Sequence, residues 1–236
     1  MKLATNEVLR YLKQMQLPFV GSEGQQRLKS ARVAVIGAGG LGCPVLQYLC
    51  AAGIGHLAVF DHDVVDASNL HRQILYTTAD VEKKKVTAAQ AILQAQNPYC
   101  EITAHAVMIT GDNVALLQGY DLVIDGCDNF TTRYVVNDAC VQFGLPLVYG
   151  SILGDQGQVA VFNLEGSRHL RHIFPEPPQP GDVPDCSENG VLGPVPGIIG
   201  TILANTAINL LLRRPVLTNQ FLLIDTLTME RTVLQF

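Results

Sequence analysis

The sequence predicts an α/β protein: a parallel sheet flanked by helices and continued by antiparallel strands at its C-terminal end. Three observations carry that expectation. From Arg32 to Tyr149 short apolar runs alternate with helical patterns, as in a parallel sheet. A glycine-rich turn separates the first of these strands from its helix. After Gly150 the alternation stops, and the chain ends in two short apolar runs spaced as a hairpin.

The elements follow in order. Val8, Leu9, Leu12 and Met15 recur at helical spacing and predict an amphipathic helix over 5–16. Ser22-Glu23-Gly24-Gln25 has the capping-box pattern and starts a second helix toward Leu28. Residues 1–30 thus read as a helical arm. Arg32–Ile36 is a buried strand, Gly40–Ala52 a helix and Leu57–Phe60 a second strand. A helix over 81–96 stops before Pro98, because the residue before a proline avoids helical geometry. Ile102–Val107 is a strand, and Leu116-Leu117 belongs to a short helix. Asp121–Asp125 is a strand, Asn129–Phe143 a helix and Pro146–Tyr149 a strand. Gln158–Asn163 is a strand with no helix behind it. Residues 164–189 are polar, carry five prolines and read as a long lid or binding loop. An apolar helix over Ile198–Leu212 and strands Phe221–Asp225 and Arg231–Phe236 complete the chain. It reads as a single unit over 1–236, with an arm at 1–30 and halves at 31–150 and 151–236.

Composition narrows the function. The 236 residues are 48% apolar and only 16% charged, with a net charge of −5, whereas ordinary domains are about 25% charged. Such a chain has the means to fold, and its acidic balance excludes nucleic-acid binding through a basic surface. Charge is uneven: residues 1–32 carry +4 and residues 33–162 carry −7. Val33–Phe60 and Asn189–Leu212 hold no charge at all. Buried parallel strands account for such stretches, and the glycines and prolines in both oppose a membrane span. The N-terminus has no apolar run of a signal peptide. None of the six cysteines forms a C-x-x-C pair, which suits buried free thiols in a reducing compartment, the cytoplasm.

Gly37-Ala-Gly-Gly-Leu-Gly42 is G-x-G-x-x-G between a strand and a helix, which places phosphates at a helix N-terminus. Gly37 permits the turn, Gly39 and Gly40 let backbone approach the ligand, and Gly42 lets the helix pack. Asp61 ends the next strand, where a carboxylate accepts ribose hydroxyl protons. The expected nucleotide-binding fold is therefore a Rossmann-like parallel sheet. Arg72 and a lysine from Lys83-Lys84-Lys85 add positive charge suited to a triphosphate, although a lysine run also fits a solvated helix face. Asp128 closes the fourth strand, where it suits either Mg²⁺ or a cap for the next helix.

Together Gly37–Gly42, Asp61, Ser68-Asn69-Leu-His-Arg72-Gln73, Lys85 and Asp125-Gly-Cys-Asp128-Asn129 resemble the ThiF/MoeB/HesA family, itself similar to ubiquitin-activating enzymes. The resemblance runs from about Arg10 to the C-terminus. It implies ATP-dependent adenylation of the C-terminal glycine of a ubiquitin-like sulfur-carrier protein ending in Gly-Gly. It implies that Asp61 holds the ribose, that Asn69, Arg72, Gln73 and Lys85 hold phosphates, and that Asp128 binds Mg²⁺. It makes 31–150 the nucleotide-binding half and 151–236 the carrier-binding half. It also implies a homodimer, in which Lys13 stands where a basic residue reaches the partner's γ-phosphate. Arginine is usual there, and lysine keeps the charge without the planar fork. Cys186 takes the place of a thiol acting in acyl or sulfur transfer, beside Asp185 and Glu188, which would raise its pKa. A four-cysteine zinc site found in relatives is expected to be absent: His169 and His172 align roughly with its first pair, and no further ligands are evident. With no second domain in view, the sulfur donor is expected to be a separate protein. An NAD-dependent oxidoreductase shares the glycine turn and Asp61, and a non-catalytic nucleotide-binding subunit shares the fold. Neither accounts for Arg72, Lys85 and Asp128 together.

Overall fold

The computed structural model describes residues 2–179 and 190–236. Its strands are β1 (Arg32–Ile36), β2 (His56–Phe60), β3 (Glu101–His105), β4 (Leu122–Asp125), β5 (Leu147–Leu153), β6 (Gln156–Phe162), β7 (Gln220–Asp225) and β8 (Arg231–Gln235). They form one sheet in the order β3-β2-β1-β4-β5-β6-β7-β8. The first five are mutually parallel, and every pairing from β5 onward is antiparallel. The helices are α1 (Thr5–Met15), α2 (Gly21–Ser30), α3 (Gly42–Ala52), α4 (Lys85–Gln96), α5 (Phe130–Phe143) and α6 (Pro194–Leu211).

Both faces of the central sheet are covered, which is why its strands read as unbroken apolar runs. β1 shows the arrangement. Val33 and Val35 point into a core with Leu46 and Leu49 of α3 and Leu203 of α6. Ala34 and Ile36 point into the opposite core, with Val136 and Cys140 of α5. The five cysteines among the described residues are all free and buried.

Four sequence expectations change. Helix α4 begins at Lys85, not at residue 81, because Glu82 has φ +70° and residues 82–85 bond across to 63–65. The Ser22–Gln25 capping box does not form. Helix α2 starts at Gly21 without a side-chain cap, and the fully buried Gln25 instead donates to the Ala52 carbonyl at 2.9 Å. Helix α6 begins at Pro194, a turn earlier than expected, because proline at a first helical position lacks only an N–H that would be unpaired anyway. Strands β5 and β6 extend into a longer hairpin that projects beyond the parallel sheet.

Part of the long loop is also ordered. Leu170 is buried on a single 3₁₀ turn, and Arg171 grips Asp138 of α5 through two 2.8 Å bonds. Cys186 and its neighbours lie outside the described residues.

Helix α6 is long and apolar enough by length and composition to cross a membrane, and one of its faces packs into the core. Its Ile199, Leu203, Ala204 and Ala207 are buried. Two strand glycines make room for it: a Cβ on Gly150 would stand 2.4 Å from Leu203, and one on Gly157 would stand 2.1 Å from Ile199.

The basic arm docks at the C-terminal end of α3. Glu7, buried on α1, binds Lys29 of α2 at 2.5 Å and accepts the Ala4 N–H at 2.8 Å. Burial raises the Glu7 pKa, but Lys29 and that N–H outweigh it and hold the carboxyl below its usual range. Gln14 and Gln25 both donate to Ala52, and Asn97 donates to the Tyr11 hydroxyl at 2.8 Å. Gly53 caps α3 in left-handed geometry, φ +85°, with the Tyr11 ring against it. A Cβ there would lie 2.5 Å from that ring. Gly53→Ala is therefore expected to cost about 2 kcal/mol through left-handed strain and overpacking. Thermal unfolding should show Tm lower by about 4–8 °C.

Candidate active site

The site lies at the carboxyl edge of the parallel strands, on both sides of the point where strand order reverses between β1 and β4. One cleft there is lined by Gly37, Gly39, Gly40, Asp61, Arg72, Gln73, Lys85 and Asp128, residues spread over nearly a hundred positions of sequence.

The glycines divide by role. Gly37 takes φ +91°, and a Cβ on it would meet the Gly126 carbonyl at 2.7 Å. A Cβ on Gly42 would stand 2.0 Å from the Gly37 carbonyl. Both are glycine because the protein itself leaves no room. Gly39 is different. Its φ is not positive, and a Cβ there would meet only the Gln73 amide, at an ordinary 3.7 Å. Neither strain nor packing demands glycine at 39, which fits a cradle kept bare for a ligand at the α3 N-terminus.

Asp61 leaves β2 and is fixed at both oxygens. Oδ2 accepts the Ala38 N–H at 2.8 Å and Oδ1 accepts the Asp63 N–H at 2.9 Å. Each oxygen retains lone pairs for a diol. Asn69 closes a 3₁₀ turn that Asp66 stabilises by accepting the Ser68 N–H at 2.7 Å. The Asn69 side chain accepts a hydrogen bond from the Arg72 guanidinium and so aims it along the cleft. Gln73 is buried beside it, and its Oε1 has no hydrogen-bond partner.

The lysine run separates into three uses. Lys83 pairs with Asp80 at 2.9 Å, Lys84 donates to the His62 carbonyl at 2.9 Å, and Lys85 is buried in the cleft. The solvated-face reading therefore fails for Lys85. Its position opens α4, whose first turn has no acidic residue. There the helix dipole opposes a cation, a broken local rule of the kind that marks functional sites. Lys85 Nζ binds Asp63 Oδ2 at 2.8 Å. Partial burial pushes the Asp63 pKa up, but the bond to Lys85 and its charge pull it below the usual range. Asp63 thus stays a carboxylate that holds Lys85 in place.

Asp128 is exposed at the cleft, and the cap of α5 is its neighbour: Asn129 Oδ1 accepts the Thr132 N–H at 2.9 Å. The helix N–H groups leave Asp128 alone, and it accepts only a long 3.5 Å bond from Asn129 Nδ2. A single carboxylate beside a phosphate cradle is the donor set that Mg²⁺ uses together with substrate phosphates.

Sequence reasoning missed several participants. Phe60, Val107 and Ile109 wall one side with apolar surface suited to a base, and Ile152–Gly154 of the β5–β6 hairpin border the other. Arg133 is buried at the floor, paired with Asp125. Charge opposite charge eight residues apart was the signal for that pair, but the helix pattern absorbed Arg133.

Two expected residues do not line the cleft: Asn69, which touches it only through Arg72, and Lys13. Lys13 is exposed on α1, which docks at the far end of α3, and α3's 11 residues span about 16 Å. Cys186 lies outside the described residues. His169 and His172 sit together on the 3₁₀ turn with ring centroids 4.0 Å apart. Among the described residues, the only cluster of three or more candidate metal ligands is Asp61-His62-Asp63, elsewhere.

Comparison with known proteins identifies the family and the fold. The model of the ThiF family matches residues 11–236. A sulfur carrier protein adenylyltransferase of Thermus thermophilus is 52% identical over 218 residues, covering 90% of this chain and 80% of that protein. A probable adenylyltransferase/sulfurtransferase of Mycobacterium tuberculosis, MoeZ, is 46% identical over 214 residues, covering 89% of this chain but only 55% of its own length. Among solved structures, E. coli MccB with ATP superposes with TM-score 0.83 over 96% of this chain and 70% of that one, at 21% identity. That likeness establishes the fold.

The two kinds of glycine should separate in experiment. Gly39→Ala is expected to fold with nearly unchanged Tm and to lose at least tenfold in nucleotide affinity, as a methyl fills the cradle. Gly42→Ala is expected to lose stability by about 1–3 kcal/mol or more, since backbone must move. Calorimetric binding and thermal unfolding of both variants check this.

Proposed function

The chain belongs to the ThiF family, and from that premise we propose that it adenylates the C-terminal glycine carboxylate of a ubiquitin-like sulfur-carrier protein, of the ThiS or MoaD kind ending in Gly-Gly. ATP is the co-substrate, pyrophosphate the leaving product, and sulfur transfer the step that follows. The observation that carries this reading is one cleft holding a bare glycine cradle, an anchored ribose acid, two cations and an exposed carboxylate. The names of the Thermus and Mycobacterium relatives support it.

The chemistry asks for alignment and charge neutralisation more than for a side-chain nucleophile. An oxygen of the carrier's carboxylate attacks the α-phosphorus, and the bond to the β-phosphate oxygen breaks. Asp61 holds the ribose. Arg72 and Lys85 take the charge that builds on the departing pyrophosphate, with Asn69 and Gln73 fixing their side of the chain. Mg²⁺, held by Asp128, would supply further neutralisation of that charge. This step does not call on Cys186, so Cys186→Ser is expected to leave adenylate formation intact.

A homodimer accompanies this reading. Lys13 lies too far from its own cleft to serve it, and a second copy would bring it to the γ-phosphate. Free buried thiols suit the cytoplasm. An NAD-dependent oxidoreductase would leave Arg72, Lys85 and Asp128 without work, and a non-catalytic subunit would have no reason to keep all three.

The test is ATP–pyrophosphate exchange with carriers ending in Gly-Gly. Wild-type protein should catalyse it, and Arg72→Ala should lose about 10³-fold or more, by analogy with other arginines on phosphoryl groups. Near-normal exchange by a folded Arg72→Ala variant would overturn the assignment.

A further inference from the structure

Arg133 is almost wholly buried, and its polar contacts go to one loop and the strand beside it. Nη2 donates to the Cys127 carbonyl at 2.8 Å and to the Gly150 carbonyl at 2.9 Å. Nε stands 3.3 Å from Asp125 Oδ2, and the guanidinium lies on the Tyr149 ring, 4.5 Å from its centroid. Asp125 uses its other oxygen, Oδ1, to accept the Cys127 N–H at 3.0 Å. Cys127 is thus held at its N–H by the acid and at its carbonyl by the base. Gly126, one residue back, has its carbonyl pressed against Gly37 of the phosphate turn. Asp128, one residue on, is the carboxylate left exposed at the cleft.

A buried ion pair is a poor source of stability, because desolvation consumes most of its attraction. What this pair supplies is geometry. The guanidinium reaches a carboxylate and two carbonyls at once through a rigid fork, which a lysine ammonium does not reproduce. We propose that Arg133 is a positioning residue for adenylation: clamped between Asp125, Cys127 and Gly150, it sets Asp128 against the phosphate cradle so that the metal and phosphates are bound together. The proposal rests on the adenylyltransferase reading and on Asp128 as the metal carboxylate.

The test compares Arg133→Lys with Asp128→Asn. Two readouts serve: the Mg²⁺ concentration that half-saturates exchange, and Mn²⁺ binding to the complex with a non-hydrolysable ATP analogue, followed by electron paramagnetic resonance. Arg133→Lys is expected to weaken metal binding about tenfold or more, the range for groups that orient a metal ligand. Affinity for the analogue without metal should change less than twofold, and excess Mg²⁺ should restore most of the exchange. In the Asp128→Asn background Arg133→Lys should add nothing to the metal defect. If Asp128→Asn binds metal normally, the assignment of Asp128 fails. If Asp128→Asn loses metal and Arg133→Lys does not, the role of Arg133 fails. Should Arg133→Lys not fold, Asp125→Asn/Arg133→Gln removes both buried charges and is read the same way. Failure of both to fold marks a purely structural pair and overturns the proposal.

Discussion

Everything at the cleft depends on how closely two backbone turns approach at the carboxyl edge of β1 and β4. A side chain on Gly37 would strike the Gly126 carbonyl there, and one on Gly42 would strike Gly37 from the other side. This contact brings the α3 N-terminus, the Asp61 carboxylate and the Asp128 loop to one point. Asp61 confirms the arrangement by bonding across to Ala38 inside the turn. Side chains added at these glycines would push the anion-binding elements apart before they affected anything else.

Polar groups are then arranged around a site that is otherwise apolar. The low charge of the chain is the low charge of a doubly covered sheet, and the charges that are buried nearby have named partners. Lys85 is held by Asp63, Arg133 by Asp125 and Arg72 by Asn69. Each cation is thus oriented before any ligand arrives, which lowers the reorganisation that binding would otherwise require. The helix dipole disfavors Lys85 where it stands, and Asp63 offsets that cost.

Most of the fold was legible because it rests on patterns that sequence carries directly: two-sided apolar strands, helical spacing and glycine turns. The boundaries that differed were decided by tertiary contacts. Gln25 left its capping box for the Ala52 carbonyl, and Glu82 bent the chain where local pattern read helix. The ribose acid, the glycine turn and the phosphate cations stood out because their chemistry is local and their spacing short. Arg133 did not, because the helix pattern absorbed it, and the apolar wall at 107–109 did not, because only the folded chain brings those residues to the cleft. The lysine run shows the same limit: three identical neighbours have three different fates, set by residues twenty positions away or by the turn between them.

The seating of α6 on the hairpin has a further consequence. Leu203 fills the hollow over Gly150, and Ile199 fills the hollow over Gly157. Each is a knob whose hole is a missing side chain on another element. Such a pair resists change one member at a time: enlarging the glycine alone creates a clash, and trimming the helix residue alone creates a cavity. Relatives that depart at one of these positions should depart at both, so 150 with 203 and 157 with 199 form two units of inheritance rather than four independent sites.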